Sequence, residues 1–325
     1  MVEFGSFESI CRTISLTVCP LVGPLDHRTV PSCYSRNIDI VGFILFQPGT
    51  FTVYLVALIM TVIMIYNIRM KYTAVGRKEM VLFFYLYATT VLMEMLLITG
   101  IIPIGSSVYP WFTAAHMGLI STTIWSLLLN GFVGFQFAED GTALSLWVSN
   151  LLDNVKMNKQ LTCNEQSIRI SSLFVWGGVF AVSILTFRQN LDSTNPLALW
   201  IIYIVLNGAA ISIYFILQVI LKFWVTKGFA SFIVGDILIA GISFIAGQIA
   251  LLGFSHEICE AVTHYLDGLF FAAGATLFSV MMIYKYWDSI TKDDLEYLID
   301  CKSDQWEVQN GTIEEEITQK KYREI

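Results

Sequence analysis

Seven stretches of this 325-residue chain stay apolar for about twenty residues at a time, with at most one ionisable group in each. A helix rises ~1.5 Å per residue, so each stretch matches a hydrocarbon layer of ~30 Å. Backbone groups in lipid must be paired within the segment, which leaves helices as the form for such runs. The stretches fall at about 46–66, 80–102, 111–135, 170–187, 197–220, 230–254 and 265–284. The last is the most instructive. Gly268 to Tyr284 holds no charge, and Lys285, Tyr286 and Trp287 follow as interfacial anchors. The expected fold is an all-α polytopic membrane protein, a seven-transmembrane helix bundle in contact with the lipid bilayer. Residues 1–45 form an N-terminal segment, 46–287 the bundle, and 288–325 a tail.

Composition agrees. Charged residues make up 14% of the chain and hydrophobic residues 55%, against about 25% charged in an ordinary soluble domain. The net charge of −7 sits mostly in the tail, where eleven Asp/Glu face five Lys/Arg from Asp288 onward. No basic stripe speaks for nucleic acid. The start lacks the basic-then-apolar order of a cleavable signal peptide and is too acidic for a transit peptide.

Orientation follows from Lys and Arg in the loops. The 1–2, 3–4 and 5–6 loops and the C-terminal side carry fifteen; the other side carries Arg12, Arg28, Arg36 and Arg188. The N-terminus is therefore expected in the lumen or outside the cell and the C-terminus in the cytosol. In the 3–4 loop, Leu144, Trp147, Val148, Leu151, Leu152 and Val155 share one helical face. This fits a helix lying on the membrane surface or packed under the bundle.

That topology places Cys11, Cys19, Cys33 and Cys259 on the oxidising side and Cys163 and Cys301 on the reducing side. Four cysteines allow two disulfides in three connectivities. Cys259 is expected to join one of Cys11, Cys19 or Cys33 and so pin the N-terminal segment over the mouth of the bundle. Cys259, His256 and His264 lie close enough in sequence to suggest zinc, but their spacing matches no zinc pattern. No metal, cofactor or catalytic residue is expected, since nucleophile elbow, P-loop and dinucleotide fingerprint are all missing.

Ionisable residues inside spans are costly and draw attention by default. Glu94 lies ~12 Å and His116 ~8 Å from the same end of the bundle, at depths where they could pair. Asp236 lies near the opposite end, close to Gln218 and Lys222. Interhelical polar contacts account for all three more simply than a proton relay. Gly268 and Ala272, four residues apart, permit close helix packing, either within the bundle or as a face for a client's helices. In the tail, Asp294-x-Glu296 has the form of a di-acidic export signal read by vesicle-coat machinery, though so short a match arises easily by chance.

Several dispersed motifs, all in one order, carry a resemblance. They are Cys33-Tyr34-Ser35-Arg36-Asn37-Ile38-Asp39, the run from Tyr66 to Arg77, Gly134-Phe135 with Glu139-Asp140-Gly141-Thr142, Ala246-Gly247-Gln248, Ile258-Cys259-Glu260, His264 to Phe271, Met281 to Asp288, and Asp293 to Glu296. Together they resemble the fungal chitin synthase export chaperone family. The resemblance implies a non-catalytic, seven-span protein of the endoplasmic reticulum membrane. Such a protein binds chitin synthase as its client, enables its export in support of cell-wall chitin synthesis, and could travel with it toward the plasma membrane. The 142–169 stretch looks longer than the family pattern. A seven-span receptor is the next reading, weakened by Phe137-Ala138-Glu139-Asp140 where an Asp-Arg-Tyr motif would stand. A membrane hydrolase or transporter comes after it, for want of a ligand set.

Overall fold

A chain with seven apolar runs and short connections settles as neighbouring helices, because each run must pair its own backbone before it can pack. The computed structural model describes residues 7–22, 33, 35–40, 43–71, 74, 76–135, 162–188, 196–225 and 231–291. Among them are seven helices long and apolar enough to cross a membrane: Pro48–Met70, Arg77–Ile98, Tyr109–Phe132, Ile168–Phe187, Leu197–Ile220, Gly235–Leu252 and Gly268–Thr291. They are called the first to seventh spans below. The amphipathic face at 144–155 and the tail motif at 294–296 lie outside the described residues.

The third span is the hub. It packs against the second, fourth and fifth spans, and 61% of its apolar window is buried, against 22–39% in the others. This explains its composition. Thr113, His116, Ser121, Thr122, Thr123 and Ser126 are all buried there, and it has the lowest mean hydropathy of the seven. A helix that faces protein rather than lipid can carry hydroxyls, provided each finds a partner. Thr122 Oγ1 donates to the Gly118 carbonyl (2.8 Å), and Thr123 Oγ1 meets Thr90 Oγ1 on the second span (3.0 Å).

Local signals set several helix ends. Pro48 stands in the first turn of the first span, where its missing N–H costs nothing. The second span begins after Gly76 (φ 67°) and ends before Gly100 (φ 79°), both in the left-handed region that glycine adopts without strain. The fifth span is not uniform. Leu197–Trp200 is α-helical, Ile201–Leu206 is a π-segment, and Asn207–Val225 is α-helical again. The seventh span continues past Tyr284, because its polar residues find partners. Lys285 Nζ meets Asp236 Oδ1 on the sixth span (2.9 Å), Tyr286 donates to Gln218 Oε1 on the fifth (3.0 Å), and Asp288 pairs with Lys71.

Residues 7–22 do not sit outside the bundle. A short helix, Glu8–Thr13, and the turn after it enter one end. Phe7, Cys11, Ile14 and Val18 are at most 1% exposed. Phe7, Cys11, Val18 and Cys19 pack with Met117, Val179 and Leu199, whereas Ile10 and Ile14 pack with Leu251, Leu269 and Ala272. The segment is a plug between the third, fourth and fifth spans on one side and the sixth and seventh on the other. A two-stranded hairpin, β1 (Ile38–Ile40) against β2 (Phe43–Leu45), then leads into the first span.

Candidate functional site: a stapled mouth and its polar interior

The plugged end is the most heavily constructed part of the molecule. Two disulfides hold it. Cys11–Cys19 closes a short loop within the plug. Cys33–Cys259 ties the chain just after the plug to the short helix Ser255–Ala261, which precedes the seventh span. Tyr109 Oη donates to the Thr17 carbonyl (2.9 Å), and Thr17 Oγ1 lies 3.4 Å from His116 Nδ1. The plug is thus closed by one internal disulfide, tethered through Cys33 in the chain that follows it, and hydrogen-bonded to the hub helix.

His264 organises the far side of the mouth. Thr263 (φ 51°) and His264 (φ 65°) are both left-handed, which costs of order 1–3 kcal/mol per residue unless the surroundings enforce it. Here they do. His264 N–H donates to the Cys259 carbonyl (2.9 Å), and the His264 carbonyl accepts from Arg36 N–H (2.7 Å). The Arg36 guanidinium lies 5.1 Å above the Tyr265 ring. His264 Nδ1 is 3.1 Å from Cys33 Sγ. Cys33, Cys259 and His264 therefore form a three-member group whose ligand-type atoms lie within 4.8 Å of one another. With the two sulfurs bonded together it is a disulfide beside an imidazole, not a pair of thiolates. His256 turns instead toward Glu260 (3.7 Å).

The seventh span starts with a side-chain cap. Asp267 Oδ1 accepts from Phe270 N–H (3.2 Å), the bond an N-cap residue makes to the third helical position. Burial pushes the Asp267 carboxyl above its ordinary range, with its backbone hydrogen bonds acting in the opposite sense. The sign follows. A carboxyl raised in the folded state favours folding below its unfolded value, and that advantage is lost as pH rises through the folded one. At neutral pH the cap helps and the buried charge costs. Asp267→Asn keeps the acceptor and removes the charge, so it is expected to melt at or above the parent temperature at pH 7. Asp267→Ala loses the cap and is expected to fall by about 1 kcal/mol. Thermal unfolding in mild detergent compares the three; an Asn variant as weak as the Ala variant would remove the capping role.

The intramembrane polar residues do not meet as their depths allow. Glu94 and His116 are not paired: Glu94 accepts a hydrogen bond from Tyr54 of the first span, while His116 faces Thr17 of the plug. Depth fixes height along a helix but not the direction a side chain takes around it, and the hub helix turns His116 toward the plug. Asp236 bonds Lys285 of the seventh span, and Gln218 is engaged by Tyr286. Gly268 and Ala272 also require correction as an outward face. A Cβ on Gly268 would lie 2.7 Å from Ser255 and 2.8 Å from the Ala250 carbonyl, and one on Gly247 2.7 Å from Ala275. Ala272 is 4% exposed. These small residues bring the sixth and seventh spans together. The burial of the plug had a legible signal in Phe7, Ile10, Cys11, Ile14 and Val18, spaced for one face.

The family model described as chitin synthase export chaperone matches residues 3–159 and 164–301. This chain belongs to the chitin synthase export chaperone family. A family relative from Cryptococcus neoformans is 43% identical over 314 residues, covering 96% of this chain and 81% of its own length. Relatives from Fusarium oxysporum and Gibberella zeae are each 42% identical over 324 residues, covering 97% of this chain and 90% of theirs. All three are named chitin synthase export chaperone. No solved structure matches. The match breaks at 160–163, within the 142–169 stretch.

Proposed function

We infer that this protein is a chaperone for chitin synthase, acting in the endoplasmic reticulum membrane to make the client competent for export. The observation that carries the reading is the identity of over 40% across nearly the whole chain with relatives that bear that name. Physical chemistry supplies the rationale. A polytopic client with polar groups in its spans is unstable until those groups find partners, since each unsatisfied group in lipid costs several kcal/mol. With Gly268 and Ala272 facing inward, contact with the client falls to outward-facing side chains. Asp294 and Glu296 in the tail would engage the vesicle-coat export machinery once the client is seated.

The orientation belongs to the same proposal: plug in the lumen, tail in the cytosol. It is supported by the fifteen-to-four split of Lys and Arg and by both disulfides lying at the plugged end, since disulfides persist in oxidising compartments. Asn310-Gly311-Thr312 is then cytosolic and carries no glycan. A glycosidase-sensitive mass shift that vanishes in Asn310→Gln would reverse the orientation.

The test of function is a fungal strain lacking this protein. Chitin synthase is expected to be made but retained in the endoplasmic reticulum, with less chitin at the cell surface. Asp294→Ala with Glu296→Ala is expected to leave client binding intact while the pair stays behind. Normal arrival of the synthase at the surface in the deletion strain, with no paralogue present, would sink the export reading.

A further inference from the structure

The bundle is not solid. A cavity of about 410 Å³ lies among the first, second, third, fifth, sixth and seventh spans, within the ~300–1,000 Å³ of small-molecule sites. Its wall is mostly apolar and includes Ile10 and Leu16 of the plug and Phe244 of the sixth span. Polar side chains also line it, among them Glu94, Tyr203, Asn207 and Gln248. An apolar chamber with a few polar groups is the form of a ligand site, but also of a loosely packed interior. Two further observations separate these.

The first is Asn207. It is 7% exposed, and its Nδ2 has no hydrogen-bond partner among the described residues. A buried amide donor left unmade costs about 1–3 kcal/mol. The second is the backbone that presents it. Asn207 directly follows the π-segment Ile201–Leu206, and π-bulges recur at functional sites. Tyr203, one turn earlier on the same span, lines the cavity together with Glu94. Glu94 has two carboxyl oxygens, and Tyr54 is its hydrogen-bond donor.

The occupant's chemistry follows from that pair. Asn207 asks for an acceptor, and Glu94 on the same wall is itself an acceptor. A fatty acid would have to share a proton between its own carboxyl and that of Glu94, and the palmitate competition below distinguishes it. A cationic amine would serve Glu94 but give Asn207 no acceptor. A neutral hydroxyl both donates and accepts. The surrounding wall then suits a compact hydrocarbon body. We propose that this cavity is a binding site for a neutral, hydroxyl-bearing membrane lipid of the sterol class, its hydroxyl held by Asn207 and Glu94 and its body covered by the plug. The site stands on the cavity and its polar groups, independently of which client the protein serves.

The test uses the full chain in phosphatidylcholine nanodiscs and a cholesterol analogue carrying a diazirine and an alkyne. Labelling is expected to saturate, to map to peptides containing Tyr203 or Gln248, and to be competed by unlabelled cholesterol but not by palmitate. Asn207→Leu is the main variant, because it keeps the volume while removing an orphan donor, so the lipid-free protein is expected to remain as stable as the parent or to gain. Its half-saturating concentration is expected to rise about tenfold, as is that of Glu94→Gln. Cholesterol is expected to raise the melting temperature of the parent and not of Asn207→Leu. Non-saturable labelling, equal competition by palmitate, or an Asn207→Leu variant that binds like the parent would each overturn the assignment.

Discussion

Cys259→Ser will lower the melting temperature of the detergent-solubilised protein far more than Cys11→Ser. The Cys33–Cys259 bond spans 226 positions in sequence, the Cys11–Cys19 bond eight. Chain-entropy scaling gives about 5 and about 2.5 kcal/mol for loops of those sizes. Spans held in a membrane or micelle limit the unfolded chain, which reduces the larger figure, but the order stands. The local consequences add to it. Breaking this bond frees the left-handed turn at Thr263 and His264 from one of the contacts that enforce it, and lets the segment carrying Arg36 move from Tyr265. Trypsin sensitivity at Arg12 then gives a second readout, since the plug that carries it loses its outer tether. Equal melting of the two serine variants, under non-reducing conditions, would show that the long staple adds nothing to the fold.

Gly268→Leu will fail to give a monodisperse, folded protein, whereas Gly274→Leu on the same helix will behave like the parent. At Gly268 even a methyl group meets Ser255 at 2.7 Å and a backbone carbonyl at 2.8 Å, and backbone cannot turn aside as a flexible side chain can. At Gly274 nothing lies within 4 Å of the added carbon. Overpacking costs about 1–3 kcal/mol, and more where the obstacle is rigid; for Gly268→Leu the upper end applies. Fluorescence-detected size exclusion after mild extraction compares them. The result bears on interpretation too: loss of client binding in Gly268→Leu would report a broken bundle rather than a client contact, and a well-folded Gly268→Leu would reopen the outward reading of that face.

The seven spans were legible in sequence because lipid enforces them: no other use of seven apolar runs satisfies the backbone. Their ends were less so. The uncharged run ends at Tyr284, yet Lys285 and Asp288 are paired, one with Asp236 and the other with Lys71, and the helix runs on to Thr291. What sequence spacing cannot supply is azimuth. Small residues at Gly268 and Ala272 announce a close approach but not by whom, and Glu94 and His116 share a depth without sharing a direction. The π-segment at Ile201–Leu206 has no residue signature at all, being composed of ordinary apolar residues between two normal stretches of helix. Asn207 carries no sequence signal for a related reason: an asparagine in a span is unremarkable until its Nδ2 is found without a partner among the described residues.

The plug has a consequence for biosynthesis. Residues 7–22 leave the ribosome before any of the spans, yet their binding place is built from the third through seventh spans, and Cys33 must wait for Cys259. At about 5–20 residues per second, the 226 positions between them take roughly ten to forty-five seconds to make. During that interval the earliest part of the chain has no home, and Cys33 has only Cys11 and Cys19 as neighbours in the same nascent segment. Closure of the mouth therefore waits on the late part of the chain: a chain truncated before Cys259 leaves residues 7–22 unseated and Cys33 without its partner, both of which quality-control machinery can read.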